Sequence, residues 1–210
     1  MDDTEDTRFR VAGAIVLTPD NMDAIARQDT LDSILLAQLA ATPRHASSDS
    51  PDKLNRTFIK CLGKMHWTLT SSKNTDTTLT TSFSAVSVMN AALQPQELDF
   101  AKALTDLPSD TRLNLKHYCS KNLDGITHLN LLIIKAHKSA QIQVKQLIFA
   151  STSPLEDDWL IQQHHACVEA PVKVRLADFR LALTPEYKEI RDKVIASLGQ
   201  TRTKEIQVID

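Results

Sequence analysis

At 210 residues, 42% apolar and 24% charged, the chain has the make-up of an ordinary folded protein and is long enough to bury a sizeable core. A formal net charge of -2 and a pI near 6.4 supply no global attraction to nucleic acid or to an anionic membrane, and no apolar run reaches the roughly 18 to 20 residues of a spanning helix. Its four glycines are scattered, which excludes the glycine clusters that let backbone N–H groups close on a phosphate.

Residues 1 to 7 read as a disordered, solvated tail, and the acidic opening Met1-Asp2-Asp3 is unlike an export signal. Phe9, Val11, Ile15 and Leu17 alternate across Gly13 and predict a strand. Thr18-Pro19-Asp20 has the chemistry of a helix start: a capping hydroxyl, a proline with preset φ, and a carboxylate for the positive end of the dipole. Helical spacing follows through Met22, Ile25, Leu31, Ile34, Leu35 and Leu39, with a possible break at Asp29-Thr30. The stretch 42–50 reads as a connection. Leu54, Phe58 and Leu62 predict a second helix, stopped by Gly63.

Met65, Trp67 and Leu69 alternate with polar residues, so a strand with one wet face is expected, then a polar turn over 71–76 and a return strand over 77–89. Pro95 opens a helix that Pro108 ends. Leu113, Leu115, His117 and Cys119 share one face of a predicted strand. The centre of the chain, Leu129 to Ser151, holds two β-rich runs around Lys138-Ser139-Ala140, which predicts an antiparallel hairpin in mid-sheet, its register open to a one-residue slip. Over 159–168 a further strand is expected, with a helix as the alternative. From Val172 the apolar phase slips near Ala177-Asp178, as a bulge would make it. Thr184-Pro185-Glu186 then starts a last helix through Tyr187, Ile190, Val194 and Leu198, and 200–210 is expected to fray.

Strands in runs with helices at their ends predict an α+β domain over 8–199: an antiparallel sheet of about six to eight strands with helices packed at one face or end. The order strand, two helices, several strands, final helix resembles the helix-grip layout of lipid- and hormone-binding proteins. That resemblance implies a cavity between a curved sheet and the last helix. The short final helix and the interrupting helix after Pro95 depart from it.

Chemistry-bearing residues are few. His117 with Cys119, and His165 with Cys167, would each present an imidazole and a thiolate from one strand face, and two such strands side by side would make a Cys2His2 zinc site; packed core residues are the plainer reading. Trp159, His164 and His165 are candidate interface residues. Lys145, Lys173, Arg175 and Arg180 form a basic stripe, but aromatic residues are only 5% of the chain and none interleaves with them, so nucleic-acid stacking platforms are missing. Cys61, Cys119 and Cys167, an odd number, favour reduced thiols and hence the cytoplasm. The expectation is a cytoplasmic protein that acts by binding rather than catalysis, through a sheet face or edge, on a protein partner or a second copy of itself. The alternative is a small apolar ligand or lipid held between a curved sheet and the C-terminal helix.

Overall fold

The computed structural model describes residues 6–45, 51–93 and 97–209. The first five residues of the expected tail lie outside that range, while Asp6 and Thr7 already pair in a strand. β1 (Asp6–Val11) and β2 (Ala14–Pro19) form a hairpin turned at Ala12-Gly13, not one strand running across the glycine. Gln38 fixes this turn. Its side chain accepts from Gly13 N–H at 3.0 Å and donates to the Val11 carbonyl at 2.8 Å.

The helix expected at Thr18-Pro19 starts later. Asp23 Oδ1 accepts from the N–H groups of Ile25 and Ala26, both at 3.0 Å, and α1 (Ala24–His45) runs unbroken through Asp29-Thr30. α2 (Pro51–Lys64) follows. β3 (Trp67–Leu79) then passes straight through the residues read as a turn. In place of a return strand comes α3 (Ala85–Ala92), started by a reciprocal capping box between Ser84 and Ser87. α4 (Leu98–Thr105) and α5 (Ser109–Cys119) complete this run. The buried residues of α5 are Thr111, Leu115 and Cys119, spaced by four, so the period-two reading of this stretch missed its true contact face.

β4 (Ser120–Leu123), β5 (Ile126–His137) and β6 (Gln141–Ser151) bring the chain to the expected central hairpin. Its register is fixed by eleven partners from Thr127↔Ser151 to His137↔Gln141. The segment 152–171 holds no strand, only an isolated bridge between Phe83 and His164. β7 (Val172–Leu183) pairs β6 without a shift, so no bulge occurs at Ala177-Asp178. The apolar phase slips because the two halves of β7 contribute to different cores: Val174 to one, Phe179 and Leu181 to the other. The shift in register lies on β3, between Leu69 and Ser71.

Thr184-Pro185 does start a helical segment, first as a 3-10 turn over Pro185–Glu189 and then as α6 (Arg191–Leu198). The last residues do not fray. α7 (Thr201–Glu205) leads into β8 (Ile206–Val208), which pairs with β1, and Ile209 is buried.

The fold is α+β, built on one sheet of eight strands in the order β3-β7-β6-β5-β2-β1-β8, with β4 beside β5. All strand pairs are antiparallel except β2 with β5. Both faces carry helices. Ile34, Leu35, Phe58, Leu62 and Val194 close one core against Val16, Ile134 and Phe179. Phe100, Leu104, Leu115 and Trp159 close the other against Ile15, Leu131 and Leu147. Each full burial of such a side chain contributes roughly 1.5 to 3 kcal/mol. α6 packs against α1, with Tyr187, Val194 and Leu198 inside the first core, and does not lie over an open sheet as a helix-grip layout would have it. Among the described residues no helix is long and apolar enough to cross a membrane.

Candidate functional site

Every residue of β3 from Thr68 to Thr78 is exposed. One edge of the strand pairs with β7 along its whole length, and among the described residues no strand pairs with the other. Threonines hold it extended, because a β-branched side chain fits the pleated conformation without needing burial. On one side of this ribbon Asp76 takes a fork from Arg175, at 2.6 Å from Nε and 3.1 Å from Nη2, and that hydrogen bonding holds the Asp76 carboxyl below its usual range.

On the other side the ribbon walls a groove of about 710 Å³. Alternate β3 residues Lys73, Thr75, Thr77 and Leu79 form one flank, and Ser87, Val88 and Ala91 of α3 the other. Strand pairing sets Lys73 opposite Asp178, Thr75 opposite Leu176 and Thr77 opposite Val174. The groove therefore grades from charged at Lys73 and Arg180 to apolar at Leu79, Phe83 and Val174.

Its base holds a charge cluster. Lys145 Nζ lies 2.9 Å from Glu97 Oε1 and 2.5 Å from Asp178 Oδ2, and Gln143 Nε2 donates to Glu97 at 2.8 Å and to Asp178 at 3.2 Å. Lys145, Gln143 and Glu97 are buried, so each charge requires these partners. The sequence placed Lys145 in a basic stripe; the structure couples it instead to two carboxylates, one from the start of α4. Lys73 and Arg180 are exposed, and among the described residues neither forms an ion pair. Near Arg180, the imidazole of His137 is held below its ordinary pKa, first by burial and then by Lys135 and Arg180.

The residues singled out from the sequence lie elsewhere. Trp159 is fully buried in the second core and donates from Nε1 to the Arg112 carbonyl at 3.0 Å, so it offers nothing to a partner. His164 is also fully buried, with Nδ1 3.1 Å from Ser151 Oγ and its ring against Phe83 and Phe149. Of the three interface candidates only His165 is exposed. The zinc arrangement rested on two strands that do not exist. His117 and Cys119 belong to α5, His165 and Cys167 to an irregular segment, and no cluster of three or more metal-ligating side chains occurs among the described residues. Cys119 Sγ meets the Gly13 carbonyl at 3.2 Å, and burial pushes its thiol up to about 12. The groove itself went unseen in the sequence, where the available signal was the charge of Lys145 beside the neutral amide of Gln143 in a strand whose second half is largely apolar.

No protein-family description matches the chain, and no curated protein sequence does. Among solved structures it is similar to a delta-endotoxin at 10% identity, with a TM-score of 0.38 and 82% of each chain covered. The activated Cyt2Ba monomer from Bacillus thuringiensis subsp. israelensis gives 10% identity and a TM-score of 0.37 over 80% of this chain and 97% of that one. The Evf virulence factor gives 11% and 0.30 over 97% and 86%.

Proposed function

We propose that the chain acts by binding another protein, accepting an extended segment of it as an added strand on the open edge of β3. The observation that carries this is a strand of thirteen residues with one edge that no strand among the described residues pairs, flanked on one side by a groove. Strand addition draws affinity from main-chain hydrogen bonds and selectivity from alternate side chains, which here would enter the groove beside Lys73, Thr75, Thr77 and Leu79. Free Cys61, Cys119 and Cys167 suit a reducing compartment such as the cytoplasm. A second reading, a small ligand, draws on the groove's volume, which is of the size that such ligands fill. It would sit on the sheet face opposite α6.

Selection of extended peptides from a displayed random library on the immobilised chain tests the first reading. Selected peptides should slow amide hydrogen exchange across residues 71–79 and leave β8 unchanged. Binders that leave β3 exchange untouched, or a library that yields none, overturn it.

A further inference from the structure

The gradient along the groove defines what kind of strand fits. We infer that the segment added to β3 is acidic where it passes Lys73 and apolar where it passes Leu79, with its polar and apolar side chains on one face. This rests on the strand-addition reading above. Lys73 and Arg180 stand exposed at one end, and the two carboxylates that line the groove with them, Glu97 and Asp178, are held by Lys145 and Gln143. That end of the groove counts three cations against two carboxylates, and among the described residues the two exposed cations form no ion pair.

Further along, Val174, opposite Thr77, joins Phe83 and Met89 in the second core, with Leu79 and Val88 packed against it. A carboxylate placed there would lose water with no cation to offset the loss. Thr75 and Thr77 between them take either a hydroxyl or a methyl contact. The same arrangement explains how an open edge remains selective. A lysine in mid-strand and a bulge at one end are ordinary protections against indiscriminate pairing, and a partner that neutralises the lysine removes one of them. Opposite charge across the rim also speeds the encounter, an effect that salt weakens.

The probes are synthetic threonine-rich peptides about ten residues long. One set carries glutamates at one end and valines at the other, in both chain directions, and a second set replaces the glutamates by lysines. The acidic peptide should bind about tenfold tighter than its lysine counterpart at low salt, as two exposed ion pairs allow, and the preference should shrink as salt is raised. The neutral double variant Lys73→Thr, Arg180→Thr should lose that preference, and Lys73→Glu with Arg180→Glu should invert it. Both positions are exposed, and the neutral variant serves if the charge reversal disturbs the Lys145 cluster. If acidic and basic peptides bind alike while both slow exchange in β3, the charge reading falls and strand addition stands. If peptides bind without slowing exchange in β3, or do not bind, both fall.

Discussion

At one rim of the sheet a strand of three residues, β8, is fastened over β1; at the other a strand of thirteen, β3, carries its side chains in solvent. The fastening is detailed. Arg10 and Glu205, both nearly buried, meet at 3.1 Å, and the Ala12 N–H donates to the Glu205 carbonyl and the Ile209 N–H to the Arg8 carbonyl. Two further pairs tie the same terminal region down to α1: Arg191 to Asp29 and Arg202 to Asp32, each with a contact of 2.7 Å. Unpaired strand edges invite other strands, and short or covered edges are the usual remedy. The chain applies that remedy thoroughly at β8 and, among the described residues, leaves β3 long and uncovered. Under the strand-addition proposal, the first rim serves stability and the second recognition.

The sharpest way to break the contrast is to unfasten the closed rim. Glu205→Gln keeps the shape of the side chain but strands the Arg10 guanidinium without its carboxylate, and removal of one partner from a buried pair costs about 3 kcal/mol. Urea unfolding should record that loss, and amide exchange in β1 should quicken. Tyr118 supplies an independent readout. Its pKa is raised first by burial and then by Glu205, so it should fall towards the ordinary value in the variant. Unchanged stability would show that the ion pair does not hold this rim.

Gly13→Ala should have the next largest effect. A Cβ there would lie 2.8 Å from Tyr118 Cβ and 3.3 Å from Gln38 Oε1, so the hairpin turn or α5 must shift, at about 2 kcal/mol on overpacking precedents. A milder effect is expected from pH on the side of the sheet that bears the groove. Burial holds His164 below its ordinary pKa of 6.5, so as the pH falls through that value the unfolded chain takes up a proton that the folded chain refuses. Stability should decline with acidification until the lowered pKa is reached. His137 drifts in the same direction, and the difference between wild type and His164→Asn isolates the buried imidazole. Equal pH slopes for the two proteins would exclude it.

What the sequence revealed follows from where physical causes were local. The hairpin of β5 and β6 was legible because two neighbouring runs supply both strands and the turn between them. β3 was not, since Ser71-Ser72-Lys73-Asn74 has turn chemistry and is kept extended by pairing with β7, about a hundred residues away, as Lys73↔Asp178 shows. α5 was misread because Leu113 is exposed although it is apolar, which gave the stretch a false alternation. The terminal clasp joins Arg10 to Glu205, a contact that no local pattern foretells. The groove is the extreme case: its cluster gathers Glu97, Lys145 and Asp178 from three separate elements, and its open edge is defined by which strand lies outermost.

The contrast between rims also demands a silent substitution. Asp76 and Arg175 form the best-aligned ion pair on the β3 ribbon, and by geometry alone the pair rivals Arg10 with Glu205. Geometry is not the deciding quantity. Asp76 stands in water, where solvent and salt screen the attraction and the ordering of two mobile side chains opposes it. Asp76→Asn should therefore leave the melting temperature unmoved within error at physiological salt, although it removes a charge whose pKa the arginine lowers. It also lies on the side of β3 away from the groove, so peptide binding at Lys73 should be unaffected. A melting loss approaching that of Gly13→Ala would mean that β3 is held in place by its own ion pair. The open rim would then be a stabilised structural element, and the division of labour between the two edges would fail.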